Sequence, residues 1–203
     1  MEFKDIVKKN RSYRRFYQNE KLTTEQLTEW VDTARYVASG ANRQPVMYKL
    51  STDGILNAQI FENLAWAGYY KDWPGPIEGE RPAGYIFLIT KKDVNAQCDI
   101  GIAAQTILLN AVADGYGGCM LANIKRDQLV KVLGISDDYK IDLCIALGRP
   151  KEVVVTDEVN GTDDIKYYRD ENQVQHVPKK KLTDIIMLSL IHISEPTRLD
   201  VIS

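Results

Sequence analysis

Apolar positions along the chain switch between helical and strand-like spacing, and each change of period marks an element. Phe3, Ile6 and Val7 share one face over residues 2–9, which predicts a short helix stopping at Asn10-Arg11-Ser12. Thr23-Thr24-Glu25-Gln26 has the form of a capping box, in which the Thr23 hydroxyl takes the amide three residues on. A helix should follow, with Leu27, Trp30, Val31 and Ala34 at helical spacing, ending before Gly40. Met47–Ser51 and Tyr85–Thr90 read as strands, the second apolar enough to be buried, and Ile55–Trp66 reads as a helix. Between them, Gly68, Pro74, Gly75, Pro76, Gly79 and Pro82 predict a long loop over 67–84.

Asp99–Ala113 is the most informative segment. Ile100, Ile102, Ala103, Ala104, Ile107, Leu108, Leu109, Ala111 and Val112 leave almost no polar face. A helix apolar all round must be covered, in a core or at a subunit interface. A strand at Cys119–Ala122, a helix at Arg126–Leu133 and a core strand at Asp142–Leu147 follow. The elements mix without a regular βαβ rhythm, so an α+β fold is expected rather than a doubly wound sheet.

Composition narrows the function more than the fold. The 203 residues suit one domain. Lys and Arg number 26 against 28 Asp and Glu, a net charge of −2, which argues against a nucleic-acid or anionic-membrane surface. The N-terminus has no apolar export signal and no apolar run approaches the ~20 residues of a membrane span, so a cytoplasmic protein is expected. On that expectation Asn10 and Asn160 are chance glycosylation strings, and Cys98, Cys119 and Cys144 are free thiols. His176 and His192 lack ligand spacing, so no metal is expected. From Leu188 to Arg198 the string LSLIHISEPTR resembles a translated sequencing-library adapter. A real apolar C-terminal arm is the alternative; the reading adopted is one domain over 1–187 and a non-native tail over 188–203.

Three clusters could carry chemistry. Asn10-Arg11-Ser12-Tyr13-Arg14-Arg15 offers guanidinium forks suited to phosphate, though three arginines also suit a solvated face. Ala38-Ser39-Gly40-Ala41-Asn42-Arg43-Gln44-Pro45 offers amides that could read the edge of a heterocycle, or is a plain helix end. Gly115-Tyr116-Gly117-Gly118-Cys119-Met120 is not a dinucleotide fingerprint. Its glycines either let backbone approach a flat ligand or form a C-cap turn.

Taken in order, these clusters resemble the nitroreductase family of flavoproteins from about residue 2 to about 186. NRSYRRF resembles the family's R-R-S-x-R-x-F, with Asn10 for the first Arg. SGANRQP resembles P-S-x-x-N-x-Q-P-W, with Ala38 for Pro and Val46 for the aromatic. DIGIAAQTILLNAVADGYGGCML resembles D-x-G-x-A-x-Q-x-x-x-L-x-A-x-x-x-G-L-G, with Tyr116 for Leu, and HVPKKKLTDII resembles the basic C-terminal segment of short-chain members.

The resemblance implies a mostly antiparallel central sheet flanked by helices, in an intertwined homodimer with FMN sandwiched between the chains. It implies that NAD(P)H gives electrons to FMN and leaves, after which a nitroaromatic, quinone or similar acceptor enters the same cleft (a ping-pong mechanism). FMN carries that chemistry, and no catalytic side chain is required. Arg11 and Ser12 would hold the phosphate, and Arg14 would lie near it or near the pyrimidine edge. Asn42, and Gln44 with it, would contact the ring edge. Gly118 and Cys119 would present backbone to the ring, and Lys179 or Lys180 would add charge at the phosphate. Asp99 and Gln105 match the family helix, where packing or capping suffices. Trp66, Tyr69, Tyr70 and Trp73 either cover the acceptor side or simply pack. Alternatives on the same fold are reductive dehalogenation and flavin cleavage; from a different class comes a flavin-binding module without turnover.

Overall fold

The computed structural model describes residues 2–161 and 163–187. The reading of the 188–203 tail lies outside them. The order is α1 (Phe3–Lys9), α2 (Thr24–Ala34), β1 (Met47–Ser51), α3 (Gly54–Phe61), β2 (Gly84–Lys91), α4 (Gln97–Ala113), β3 (Gly117–Leu121), α5 (Arg126–Leu133), β4 (Tyr139–Gly148), β5 (Val154–Val159), β6 (Tyr168–Arg169) and β7 (Gln175–Lys180). The α+β expectation holds. The main sheet runs β1-β2-β4-β3 and is antiparallel throughout.

β2 shows why its sequence reads as an unbroken apolar run. Every residue from Gly84 to Thr90 is buried because helices cover both faces of the sheet. Ile86 and Leu88 pack with Leu27 and Trp30 of α2, Ile107 of α4 and Ile145 of β4. Tyr85, Phe87 and Ile89 pack on the other side with Ile60 of α3, Leu129 of α5 and Cys144. Each such side chain contributes about 1.5–3 kcal/mol when fully buried.

α2 starts where the sequence says it should. Thr23 accepts the Gln26 amide at 3.2 Å, and the Gln26 side chain accepts the Thr23 amide at 2.9 Å. Two helices end sooner than expected. α2 stops at Ala34 rather than near Gly40. α3 stops at Phe61, because the chain turns away to pair with residues 123–124: Leu64 bridges Ile124 and the Ala65 amide donates to the Asn123 carbonyl. A second sheet, β5-β7-β6 with β5 and β7 parallel, had no signal in the sequence.

Within one chain α4 is covered on most of its circumference, not all. Ile100, Ala103, Ala104, Ile107, Leu108, Ala111 and Val112 are buried, whereas Cys98, Gly101, Ile102 and Gln105 form an open stripe. No helix among the described residues is long and apolar enough to cross a membrane.

Candidate functional site

The stretch after α1 lies along β3 as an extra, very short strand. Ser12 bridges Gly118 in parallel, and the Tyr13 amide donates to the Gly118 carbonyl at 3.0 Å. Downstream, Phe16 bridges Pro150 and is fully buried, which anchors the segment against the end of β4. Arg11, Ser12 and Arg14 are thereby held beside Gly118. Gly118 has a packing job within the fold. A Cβ there would lie 2.4 Å from the Ala146 carbonyl and 2.8 Å from Leu108 Cδ2, so the missing side chain lets β3 pack under α4. The C-cap turn belongs to Gly115, at φ +83°.

These elements enclose a cleft of about 310 Å³. Arg11, Ser12 and Arg14 form one wall, Gly118 and Met120 the floor, and Gln105 and Leu108 of α4 another side. Lys179 and Val177 of β7, with Tyr167, close it, and Asn10 completes the rim. Among the described residues, three basic side chains line the cleft and no acidic one does, which gives the cleft a positive lining. Leu108, Met120, Val177 and Tyr167 supply apolar surface next to that charge.

Arg14 is nine-tenths buried and its guanidinium carbon stands 4.7 Å from the Tyr167 ring centroid. Its Nη1 reaches the Ser12 carbonyl at 3.3 Å. The Nε atoms of Arg11 and Arg14 are buried and meet no acceptor. Buried donors are seldom left so, and each orphan wants a partner. Arg15, Arg81 and Arg169 share that orphaned Nε, but only Arg11 and Arg14 line the cleft.

Other candidates lie elsewhere. Asn42 and Gln44 sit in an exposed loop near the N-terminal end of α4, where the Gly40 amide donates to Asp99 Oδ1 at 3.3 Å. Gln105 and Leu108 lie six and nine residues further along α4, about 9 and 13.5 Å at 1.5 Å per residue, so a single chain does not bring that loop to the cleft. The loop is strained: Ala41, Asn42 and Gln44 have φ of 51°, 52° and 48°. Left-handed non-glycine residues cost of order 1–3 kcal/mol each and cluster at functional sites. Here the Gln44 amide donates to Ser39 Oγ at 2.9 Å and its side chain donates to Asn42 Oδ1 at 3.1 Å, fixing the two amides together.

Cys119 is buried on the α3–α5 side of the sheet with Cys144. Burial pushes its thiol pKa up, with the Arg14 charge and a Ser12 hydrogen bond opposing, so its side chain is packing rather than a poised thiolate. Lys179 lines the cleft; Lys180, next along β7, does not. The aromatic loop packs against β6: Tyr69 and Tyr70 stand 4.8 and 5.3 Å from Tyr167, centroid to centroid.

The Nitroreductase family profile matches residues 82–149, the span from β2 to the end of β4 that includes α4 and Gly118. A nitroreductase family protein from Clostridium novyi superimposes with a TM-score of 0.63 at 23% identity, over 74% of this chain and 86% of that one. The chain has the nitroreductase fold. A variant of an FMN- and NADPH-dependent nitroreductase from Sphigopyxis gives 0.60 at 16% identity, over 74% and 89%. An FMN-dependent nitroreductase from Clostridium difficile gives 0.58 at 18% identity, over 74% and 91%.

Set on the nitroreductase fold, the site contains residues that sequence reasoning missed. Tyr167 lines the cleft, yet it lies in a polar stretch, DDIKYYRDEN, without periodicity. Leu108 read only as part of the apolar helix, and Met120 only as the end of the glycine cluster. Glu152, just past the matched span, is buried with a fully enclosed carboxylate. The single available signal was its charge next to an apolar strand, in RPKEVVV.

Proposed function

We propose that this chain is an FMN-dependent oxidoreductase taking electrons from NAD(P)H to a nitroaromatic, quinone or similar acceptor. The observation that carries this reading is the cleft's lining: Arg11, Arg14 and Lys179 without a carboxylate, beside Leu108, Met120, Val177 and the Tyr167 ring. A molecule with one terminal anion and one flat ring system satisfies both halves. The orphaned Nε atoms of Arg11 and Arg14 are compatible with an acceptor-rich group such as phosphate.

In this reading Arg11, Ser12 and Lys179 hold the phosphate, and Arg14 places a buried positive charge where negative charge develops on reduction. Bound there, FMN supplies hydride uptake from NAD(P)H and electron delivery to the acceptor. Tyr167 and the aromatic loop behind it keep water from one side of the cleft. The volume of about 310 Å³ is at the lower edge for small-molecule sites, roughly 300–1,000 Å³, as expected of half a site.

The second half comes from a second copy. Cys98, Gly101, Ile102 and Gln105 form an uncovered stripe on a central helix, and the strained Asn42–Gln44 loop flanks one end of it. A homodimer pairing these stripes buries both and sets the amide loop of one protomer against the cleft of its partner. FMN then sits between two chains, and obligate interfaces of this kind bury ~2,000 Å² or more.

NAD(P)H oxidation, followed with and without 4-nitrobenzoate or a benzoquinone, tests turnover. Oxidation that accelerates with acceptor supports the enzyme; a flavin-loaded protein inert to both NADH and NADPH means a binding module instead. Product analysis separates simple reduction from dehalogenation.

A further inference from the structure

We infer that Glu152 is a positioning residue for the cleft: it fixes the aim of Arg14 and, through Arg169, ties the aromatic loop to the same point. Its effect on cofactor binding rests on the reading above, whereas its structural signature does not.

Glu152 lies in the connection between β4 and β5, its side chain wholly shielded. One carboxylate oxygen accepts the backbone amide of Arg14. The other accepts Arg169 Nη2 at 3.1 Å and stands 3.6 Å from Arg15 Nε. The neighbouring Lys151 amide donates to the Arg15 carbonyl at 2.9 Å, so residues 151 and 152 grip the arginine segment at two successive points. Arg169 in turn lies over Trp73 at 4.5 Å and Tyr70 at 5.1 Å. Tyr70 stands edge-on to Tyr167 at 5.3 Å, and Tyr167 carries the Arg14 guanidinium.

The contacts close a circuit: Glu152 to Arg14, Arg14 to Tyr167, Tyr167 to Tyr70, Tyr70 to Arg169, and Arg169 back to Glu152. Tyr70 is pinned from outside as well, its hydroxyl donating to Oε1 of the fully buried Gln175 at 2.9 Å. Stability alone gives little reason for this construction. A buried ion pair is often no better for stability than well-packed apolar groups of the same volume. One carboxylate serving the Arg14 amide and the Arg15 and Arg169 guanidiniums does give a single set of positions for the segment that carries the cleft's cation and for the ring beside it. Without the charge, Arg169 and Arg15 lose their shared counter-ion and the Arg14 amide keeps only a neutral acceptor, so the point that holds them together is weakened.

The test uses the full chain, Glu152→Gln, and the partner change Arg14→Met, which leaves the Arg14 amide in place. Glu152→Gln keeps the shape and removes the charge. FMN affinity is read from quenching of FMN fluorescence, and the Trp73 contribution to emission from the difference against Trp73→Phe. Glu152→Gln should weaken FMN binding by about tenfold in the wild-type background and by less than about threefold in Arg14→Met, because the effect acts through that side chain. The Trp73 emission should shift in Glu152→Gln with or without flavin, and Glu152→Asp, which restores the charge, should recover part of it. If Glu152→Gln does not fold, Arg169→Gln, which breaks the ion pair from its other side, carries the same cycle. Equal loss of FMN affinity in both backgrounds, or unchanged Trp73 emission, overturns the inference. Wild-type protein that ignores FMN overturns the cofactor reading, and the Trp73 emission then decides the brace alone.

Discussion

Replacing Gly118 by Ala separates two explanations of the same glycine. If it were glycine only to let a ligand approach, alanine would cost affinity and leave the apo protein intact. The geometry says otherwise. The new methyl would lie 2.4 Å from the Ala146 carbonyl, 2.8 Å from Leu108 Cδ2 and 2.9 Å from Leu147 Cδ2. The leucines can turn; the carbonyl of the paired strand cannot, so β3 or α4 must move. Overpacking typically costs 1–3 kcal/mol, and the backbone contact places this case near 3 kcal/mol. At about 2–4 °C per kcal/mol for a chain of this size, Tm should fall by roughly 6–12 °C. Because Ser12 and Tyr13 hang on Gly118, FMN affinity should fall with it. Thermal unfolding of apo protein by circular dichroism is the assay. A Gly118→Ala protein with wild-type Tm would refute the packing argument.

Three further expectations follow from the geometry. Arg14→Ala should weaken FMN binding more than Arg11→Ala, since Arg14 is the more buried; a charge-assisted contact is worth about 1.5–3 kcal/mol, or roughly tenfold to a hundredfold in Kd by flavin titration. Ile102→Glu puts charge on the open stripe of α4 and should yield monomers with depleted flavin by light scattering and absorbance; a fully loaded dimer would place the interface elsewhere. His176 Nδ1 donates to Asp157 Oδ2 at 2.8 Å, and Asp157, ahead of Asp170 at 3.4 Å, raises its pKa above the usual 6.5. The Val174 amide holds Asp170 below the usual carboxylate value. A raised histidine adds stability that is full below about pH 6.5 and lost as pH rises through the folded value, while a depressed carboxylate's share is lost only in acid. The His176 contribution should therefore fade on the alkaline side, and His176→Asn should flatten the unfolding profile there; an unchanged profile would show that the pair does nothing.

The sheet was legible where burial dictates composition. β2 must be apolar on both faces, and its run announced it. α4 was legible for the same reason, and its open stripe was not, because periodicity cannot separate an apolar face the chain covers from one it leaves open. The cleft's basic wall was legible too, since Arg11, Ser12 and Arg14 are adjacent in sequence and β3 brings Gly118 to them. Lys179 and Lys180 could not be told apart until β7 was known to be a strand, where alternate residues face opposite ways. Glu152 and Tyr167 were invisible for a different reason. Each reaches Arg14 across more than a hundred residues of chain, and no local pattern records such a contact. Asn42 and Gln44 were picked out by their place in the family-like SGANRQP string, but a single chain leaves them apart from the cleft they are proposed to serve.

The central claim is that Arg11, Ser12, Arg14 and Lys179 hold FMN. Purified protein, denatured to release whatever it carries and resolved by chromatography against FMN and FAD standards, tests it most directly. The account expects FMN, bound on purification or taken up when added, with affinity lost in Arg14→Ala. FAD in its place, or colourless protein that ignores added FMN, would contradict it.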